Sequence, residues 1–266
     1  DYAASRGEYL NGKVIAAYLG FPFVDAAEVI FFQPDGSLND EKTEKVLRER
    51  LSGLENAVIP GFYGCGADGY VKTFSRGGSD VTGSIVAGAV KASLYENWTD
   101  VSGFLVADPR IVDDPAVIRT ITYTELRELS YMGASVLHEA AIFPVRSAGI
   151  PINIRNTNAP DEPGTMIVPD STDEELSAYT ITGIAGKKDF TSINIHKDLM
   201  NSQIGFCRDV LNVLSEHQIP LEHMPSSIDS MTVIVDSAHL NGLEDEIRTE
   251  IIKAVQPDSI ETCLLY

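Results

Sequence analysis

The sequence predicts a protein of the α/β class, in which a mostly parallel sheet flanked by helices is followed by a ferredoxin-like βαββαβ unit. Strand-like and helix-like segments alternate up to residue 168, which is typical of a parallel sheet with helices on its faces. After an acidic, polar stretch the order becomes strand, helix, two strands, helix, strand. We therefore expect one domain at residues 1–170, a linker at 171–178 and a second domain at 179–266.

Composition and charge narrow the class of function. The 266 residues are 44% hydrophobic, enough for a sizeable core, and their formal net charge of −19 disfavours nucleic acid and anionic membranes as partners. We expect neither a membrane span nor a signal peptide, since no suitable apolar run or leader pattern occurs. The three cysteines are far apart and lack disulfide or metal-ligand spacing, which favours a reducing cytoplasm.

The first domain opens with a predicted helix at residues 5–18. Its apolar stripe, which we expect to face the core, consists of Leu10, Val14, Ile15 and Leu19. Ser5 and Glu8 have the spacing of a capping box, which would give Glu8 a purely structural role.

The other predicted elements of this domain are, in order, a charged helix capped by Asn39 or Asp40, a short buried strand at 57–60, a glycine-rich loop at 61–69, a strand at 70–74 followed by a helix, helices from Thr124 and Gly133, and strands at 151–156 and 165–168. His138 has no evident carboxylate or nucleophile partner in the sequence. We expect it to be a hydrogen-bonded, partly buried histidine.

The chain is organised around the strand-to-helix turn at residues 76–80, RGGSD, with Ser79 as the expected N-cap of the helix. Its two glycines let the backbone approach a ligand and direct N–H groups at an anion. Arg76 suits a carboxylate and Asp80 suits an ammonium group, so the turn indicates a site for a small amino acid. The structural alternative is a common Gly-Gly-Ser turn followed by an aspartate that only stabilises the helix dipole.

A second cluster lies at residues 99–110. Thr99 and Asp100 stand at an expected strand end, Gly103 gives a turn, and Arg110 follows a proline. An arginine on a loop is by default a surface charge, so this cluster alone does not define a site.

The second domain shows regular periodicity. A strand at 192–196 precedes a helix at 206–217 with an inward face of Phe206, Val210, Val213 and Leu214. The later predicted elements are strands around 221–228 and 231–235, a helix carrying Leu243, Ile247, Ile251 and Ile252, and a final strand at 260–265.

Together these motifs resemble the aspartate kinases, members of the amino acid kinase superfamily with a C-terminal ACT regulatory domain. The resemblance covers essentially the whole chain and is carried by FSRGGSD at 74–80, TDVSG at 99–103, DPR at 108–110, GASVLH at 133–138, IPI at 150–152, NT at 156–157 and GT at 164–165. It implies an amino acid kinase-like sheet, incomplete in this chain, followed by the ACT domain.

The resemblance also implies a reaction. The family phosphorylates the side-chain carboxylate of L-aspartate with ATP and Mg²⁺, giving 4-phospho-L-aspartate, the first step towards lysine, threonine and methionine. In such a reaction the protein positions the reactants in line and neutralises charge on the transferred phosphoryl group.

Site residues follow from the matched positions. Arg76 matches the reader of the aspartate carboxylate, while Asp80 and Glu8 match the acids that hold its amino group, with Ser79 beside them; Arg76 and Asp80 are also the expected catalytic residues. The nucleotide-contacting positions are Thr99, Asp100, Leu105, Arg110 and Ser135. Two of them depart from the family: Leu105 stands where many relatives have tyrosine, and Ser135 where many have lysine.

The ACT unit implies an effector site and a homodimer. The positions that match the effector pocket are Met200, Gln203, Phe206, Leu221 and Glu222. Lysine is the expected effector, with threonine as the second choice. The structural alternative is that the methionine, phenylalanine and leucine are plain core residues.

One family feature does not occur in this sequence, the Lys-Phe-Gly-Gly turn whose lysine stabilises the transferring phosphoryl group. We therefore expect these 266 residues alone to be inactive or very weak as a kinase. The alternatives are a non-catalytic amino-acid-binding module for regulation or dimerisation, and an amino acid kinase of other specificity.

Overall fold

The computed structural model describes residues 1–132, 139–169 and 181–265. The chain forms two compact units, Asp1–Gly186 and Lys187–Tyr266. The linker expected at 171–178 lies outside the described residues. Beyond it, Thr182 and Ile184 still bond to the first unit, through the side chain of Glu125 and the carbonyl of Val106.

The first unit combines helices with two sheets. Its helices in the described residues are α1 (Tyr2–Leu19), α2 (Ala26–Val29), α3 (Asp40–Leu51), α4 (Gly78–Val90), α5 (Tyr123–Tyr131) and α6 (Glu139–Ser147). Its strands are β1 (Tyr63–Cys65), β2 (Val71–Thr73), β3 (Tyr95–Thr99), β4 (Thr120–Thr122), β5 (Ile152–Asn156) and β6 (Thr165–Val168). The expected cap of α3 is confirmed, since Asn39 accepts a hydrogen bond from the backbone N–H of Lys42.

The larger sheet has the strand order β3-β5-β6-β4. β3 pairs with β5 and β4 pairs with β6 in parallel, which confirms the predicted α/β class. β5 and β6 are antiparallel, because the short connection between them cannot hold the crossover that parallel strands need. Gly164, at φ 71°, ends that connection. Two of the three pairings in the described sheet are therefore parallel, and the third makes the sheet mixed.

The strand expected at 70–74 does not belong to this sheet. β2 pairs antiparallel with β1 in a separate two-stranded sheet, and β1 lies inside the segment expected to be a glycine-rich loop. A Cβ on Gly64 would lie 2.7 Å from the carbonyl oxygen of Ile30, so this glycine permits close packing of a strand. The prediction of a strand at 57–60 is wrong, since this segment forms only one isolated bridge, between Phe23 and Val58.

Helix α1 packs through small residues. Ser5, Gly12 and Ala16 are buried, and a Cβ on Gly12 would lie 3.1 Å from the ring of Phe23. The stripe expected to face the core is instead exposed, with Leu10 at 59% and Val14 at 65%. The prediction for this face is wrong because close helix packing here requires small side chains. Although α1 has 18 residues, no helix in the described part of the chain is long and apolar enough to span a membrane.

The second unit is one antiparallel sheet covered by helices. Its elements are β7 (Phe190–His196), α7 (Phe206–Glu216), β8 (Ser230–Asp236), α8 (Ser237–Leu240), α9 (Glu244–Val255) and β9 (Ser259–Leu265), with a short 3-10 helix at Met200–Ser202. β7 lies between β8 and β9 and is antiparallel to both. The inward face expected for α7 is confirmed, and on α9 Ile247 and Ile251 are buried while Ile252 is exposed.

The strand expected around 221–228 is only partly formed. Two isolated bridges, His223 to Ile234 and Ser226 to Met231, attach this segment to the outer edge of β8. The segment contains two prolines in nine residues from 220 to 228, and each lacks an N–H for a ladder. With this segment counted as the fourth strand, the order is the ferredoxin-like one that the pattern predicted.

Candidate functional site

The turn before α4 is built by close backbone approach. Gly77 is left-handed, with φ 56° and ψ 25°, and α4 begins at Gly78. A Cβ on Gly78 would lie 2.9 Å from Cα of Phe62, and one on Gly61 would lie 2.9 Å from Cα of Ser79. The sequence predicted Ser79 as the N-cap, and this prediction is wrong. Ser79 is the second residue of the helix. The cap is Gly77, which has no side chain to accept the first N–H groups.

Asp80 lies in the first turn of α4 and is held by residues of β3. The Nδ2 of Asn97 donates to Oδ1 of Asp80 at 2.9 Å and to the hydroxyl of Tyr95 at 3.1 Å. That hydroxyl donates to the backbone carbonyl of Asp80 at 3.1 Å. Burial raises the pKa of Tyr95, the hydrogen bond from Asn97 lowers it, and the charge of Asp80 raises it further. Asp80 thus has a fixed position before any ligand is present.

Asn97 and Tyr95 are not among the predicted site residues. One signal was available, because Asn97 occupies an inward, buried position of β3 where an apolar residue would be ordinary. A second was Gly83, since a Cβ there would lie 2.7 Å from the Tyr95 hydroxyl. Both signals only become informative once β3 is known to pack beside α4.

Arg76 and Ser79 are exposed, and Asp80 is partly buried. In the described part of the chain Arg76 has no ion-pair partner, so its guanidinium is available to a ligand. Arg76 precedes the left-handed glycine and Asp80 follows it by three residues, which places both groups at the start of one helix. A carboxylate at the helix N-terminus is also favoured by the helix dipole, so the structural alternative for Asp80 keeps its physical basis.

Glu8 is an exposed residue of α1, and the expected capping box is absent. Ser5 lies inside the helix, where its hydroxyl donates to the carbonyl of Tyr2 at 2.8 Å and accepts from Arg6 at 2.9 Å. The helix begins three residues earlier than expected, so Ser5 has no N-cap role. Asp1 links the start of α1 to β2, because its carboxylate accepts from the N–H and hydroxyl of Thr73.

The second cluster lies at the carboxyl ends of two parallel strands. Thr99 ends β3, and its carbonyl accepts from the N–H of Thr157 at 2.8 Å and from its hydroxyl at 2.9 Å. Asp100 is exposed and accepts from the hydroxyl of Thr99 at 3.3 Å. In open α/β sheets this edge is where ligands commonly bind.

β3 connects the two clusters. Asn97, which holds Asp80, and Thr99 are two residues apart and therefore point to the same face of the strand. Strand geometry separates their Cα atoms by about 6–7 Å. One short strand thus places the residue that fixes Asp80 beside the residues expected to contact the nucleotide.

Arg110 is fully exposed at its head but already binds a carboxylate. Its Nε and Nη2 donate to Asp108 at 3.0 and 2.6 Å, and its backbone N–H donates at 2.8 Å. These hydrogen bonds hold the pKa of Asp108 at about 2 and raise the pKa of Arg110. Leu105 is partly buried and bridges to Val117. Ser135 and His138 lie outside the described residues.

Of the five positions matched to the effector pocket, four line two different pockets of the second unit and Glu222 lines neither of these. Met200, Gln203 and Phe206 line a pocket of about 290 Å³ with Arg208 and the serines at 226 and 227. Leu221 lines a different pocket of about 350 Å³ beside the end of α7. Glu222 is partly buried and its N–H donates to the carbonyl of Ile234 at 3.0 Å. Met200 and Phe206 are also core residues, as the structural alternative requires.

Comparison with known proteins gives consistent matches. The model of the amino acid kinase family matches residues 1–156. Aspartokinase 3 of Bacillus subtilis is 40% identical over 268 residues, which covers 97% of this chain and 57% of that protein. Aspartokinase 1, chloroplastic, of Arabidopsis thaliana is 32% identical, covering 90% of this chain and 44% of that protein. The chain therefore spans about half the length of these relatives.

Solved structures agree. The aspartate kinase of Clostridium acetobutylicum has a TM-score of 0.84 and 57% identity, covering 98% of this chain and 59% of its own. Aspartokinase III of Escherichia coli, in complex with lysine and aspartate, has a TM-score of 0.64 and covers 99% of this chain and 60% of its own. At 24% identity, the second match shows the fold alone.

Proposed function

Because the chain belongs to the amino acid kinase family, we propose that it supplies the aspartate-binding part of an aspartate kinase. The reaction would transfer the γ-phosphoryl group of ATP to the side-chain carboxylate of L-aspartate, at the start of the pathway to lysine, threonine and methionine. The observation that carries the proposal is β3, which holds Asp80 through Asn97 and ends in Thr99 on the same face. The residues proposed for the substrate and those proposed for the nucleotide would thereby share one edge of the sheet.

The substrate end has a reader for each charge of the amino acid. Arg76 would bind the α-carboxylate with its planar pair of donors. Asp80, with Glu8 and Ser79, would bind the ammonium group. The fixed position of Asp80 lowers the entropy lost on binding, because its carboxylate is already oriented by Asn97. The side-chain carboxylate of the substrate would then point towards the end of β3.

The nucleotide end would be formed by Thr99, Asp100, Leu105 and Arg110, with Ser135 as the further matched position. Arg110 fits an anion, since it is exposed and already holds a carboxylate with two parallel donors. It would exchange Asp108 for a phosphate of ATP. Mg²⁺ bound with the nucleotide would neutralise charge on the transferred group. The free cysteines at 65, 207 and 263 agree with a reducing cytoplasm.

Calorimetric titration with L-aspartate tests the substrate site directly. Arg76→Ala should lower the affinity for aspartate by about 10- to 150-fold, because a hydrogen bond to a charged group contributes about 1.5–3 kcal/mol. The matched control is Arg50→Ala, an exposed arginine of α3, which should bind like the original chain. Affinity for a fluorescent ATP analogue should stay unchanged in both variants. Equal aspartate affinity in Arg76→Ala and the original chain would refute the assignment.

The activity of these 266 residues alone is a separate question, because the chain spans 57% of the Bacillus subtilis relative. We propose that the chain alone is inactive or very weak, as expected from the missing Lys-Phe-Gly-Gly turn. Acyl-phosphate formation, trapped as the hydroxamate, measures this. Robust turnover dependent on ATP and aspartate would contradict us, and aspartate binding without turnover would favour the non-catalytic alternative for the chain by itself.

A second function is favoured by the pocket of Met200, Gln203 and Phe206. We propose that it binds an amino-acid effector, with lysine ahead of threonine, and that a homodimer forms through the second unit. The pocket has a size suited to a small ligand, and the Escherichia coli relative was solved with lysine. Calorimetry with lysine and threonine, repeated on Gln203→Ala, tests the site. Sedimentation of the chain with and without lysine tests the dimer.

A further inference from the structure

Three potential metal ligands meet where α7 ends beside α9. His217 is the C-cap of α7, and Glu246 and Glu250 lie one turn apart on α9. Nε2 of His217 is 2.9 Å from Oε2 of Glu250, and one ligand atom from each of the three residues lies within 4.8 Å of the others. We propose that His217, Glu246 and Glu250 bind one divalent first-row transition metal ion, of which Zn²⁺ is the test case.

The spacing of the ligand atoms suits such an ion. Zinc lies about 2.0–2.2 Å from imidazole nitrogen and carboxylate oxygen, so tetrahedral geometry separates neighbouring ligand atoms by about 3.3–3.6 Å. The His217–Glu250 pair, at 2.9 Å, is now joined by a hydrogen bond and has to open by only a fraction of an ångström to admit the ion. Glu246 is exposed, and one of its carboxylate oxygens lies within 4.8 Å of the ligand atoms of His217 and Glu250.

The two helices hold the ligands in place. The side chains of His217 and Glu250 are 17% and 34% exposed, so both are restrained by packing. Val213 and Leu214 precede His217 by one turn, and Ile247 and Ile251 each follow one of the glutamates. All four are buried in one core, which fixes α7 against α9. The site therefore needs little reorganisation to accept an ion.

The local charge favours a cation. Glu246 and Glu250 are like charges at i and i+4, an arrangement that destabilises a helix when nothing neutralises it. His217 lies at the C-terminal end of α7, where the helix dipole is negative. Glu244 and Asp245 add further negative charge in the first turn of α9. An ion at this point would neutralise several carboxylates together.

The ligand types exclude Mg²⁺ as the preferred ion. One imidazole and two carboxylates suit zinc, manganese or iron, whereas Mg²⁺ prefers oxygen ligands alone. The other candidate cluster, His196, Asp198 and Asp258, is fully exposed, and Oδ2 of Asp258 already accepts the N–H of Asp198 at 2.7 Å. That cluster lacks the support of packed helices.

Titration of the metal-free chain with Zn²⁺ tests the proposal. We expect one equivalent to bind with a dissociation constant on the order of micromolar, unaffected by a large excess of Mg²⁺. Glu246→Gln and His217→Ala should each weaken this binding by more than about 10-fold. The matched controls, Glu261→Gln and His223→Ala, change an exposed acid and an exposed histidine of the same unit and should bind Zn²⁺ like the original chain.

Two results would overturn the site. One is a titration in which the chain binds no equivalent of Zn²⁺ whose affinity is lowered by both Glu246→Gln and His217→Ala. His217 and Glu250 would then be a simple interhelical ion pair. The other is an equal loss in His223→Ala or His196→Ala. Because His217→Ala could disturb folding, thermal unfolding of Glu246→Gln is decisive: Zn²⁺ should raise the Tm of the original chain and raise it less in this variant.

Discussion

The two units of the molecule build their sheets differently. In the second unit β7 pairs along all seven residues with a neighbour on each side, and a single core lies beneath it. In the first unit the longest ladder, β3 with β5, has five residues, and the strands are divided between a hairpin and a mixed sheet. The second unit is therefore stabilised by regular pairing, while the first relies on particular residues at particular contacts.

Thr165 illustrates this reliance in the first unit. Its hydroxyl accepts from the N–H of Phe104 at 2.8 Å and donates to the carbonyl of Ile118 at 2.6 Å. Gly103, at φ 112°, passes so close to Thr165 that a Cβ could not be accommodated. The hydroxyl of Thr165 and the absence of a side chain on Gly103 together hold the backbone here in place of a ladder of strand hydrogen bonds. This teaches that a segment without long strands can still be held in a defined conformation by a few close contacts.

The largest expected effect concerns the regular core of the second unit. Ile247→Ala should lower its free energy of unfolding by about 2–5 kcal/mol, because a fully buried isoleucine leaves a cavity. Ile252→Ala, on the exposed side of the same helix, is the matched control and should cost far less. Urea unfolding followed by circular dichroism measures both. Similar losses in the two variants would break the comparison.

The next effect concerns backbone contacts of the first unit. Gly164 and Gly149 are both left-handed, at φ 71° and 67°, but a Cβ on Gly164 would overlap the carbonyl oxygen of Ile154, while one on Gly149 would meet nothing. Gly164→Ala should therefore destabilise the unit by about 1–3 kcal/mol more than Gly149→Ala. Both substitutions introduce the same φ strain. The difference between their free energies of unfolding therefore reports the steric overlap at Gly164 alone. No difference would show that β5 and β6 can move apart freely.

A pH effect should distinguish the units. Burial raises the pKa of Tyr123 to about 12 from a usual 10, and burial also raises the pKa values of Tyr63 and Tyr95. Folding favours the neutral phenol, so this contribution to stability is complete below pH 10 and is lost as pH rises from 10 through 12. The second unit has a single tyrosine in its sequence, Tyr266, which lies outside the described residues.

Unfolding measured against pH, together with phenolate absorbance, checks this effect. Tyr123→Phe should reduce the alkaline loss of stability, whereas Tyr70→Phe, at a tyrosine that is 76% exposed, should not. An alkaline loss of the same size in Tyr123→Phe and the original chain would remove Tyr123 as a cause.

The smallest effect concerns the exposed stripe of α1. Val14→Lys should change the free energy of unfolding by less than about 0.5 kcal/mol, because the side chain is 65% exposed. Ala16→Lys, at a position that is 4% exposed on the same helix, should be clearly destabilising. Thermal unfolding of the pair measures the contrast. A large loss in Val14→Lys would mean that the stripe is covered in solution.

Much of the second unit could be predicted from the sequence because its periodicity matches its burial. Val210, Val213 and Leu214 are buried at helical spacing, and β7 alternates from Ile193 to His196, although Ser192 is also buried. The segment at 221–228 was overestimated, since its prolines and polar residues allow only bridges. Regular elements that pack with large apolar residues leave a clear signal.

The first unit was harder to predict for a physical reason. α1 is buried through Ser5, Gly12 and Ala16, so its large apolar residues marked the exposed side. Gly64 suggested a loop but permits β1 to approach Ile30. Small residues chosen for close approach carry no hydrophobic pattern, and their role becomes visible only when the neighbouring element is known.

The candidate site was predictable where its residues are adjacent in sequence. Arg76 and Asp80 lie at the start of α4, as the turn indicated, whereas the support of Asp80 by Tyr95 and Asn97 comes from a strand 15 to 17 residues later. Sequence spacing does not report which strand packs beside a helix. The assignment of these residues to aspartate and nucleotide stays a prediction.

The uncapped start of α4 has a consequence for the rate of ligand capture. Its first N–H groups and Arg76 can donate to an anion, but Asp80 lies in the same turn and the formal charge of the chain is −19, so an approaching anion is repelled until it is close. Raising the ionic strength from about 0.01 to 0.1 M shortens the Debye length from about 30 to 10 Å. That screens the distant repulsion more than the final contact, so anion association should become faster with moderate salt, the opposite of ordinary electrostatic steering.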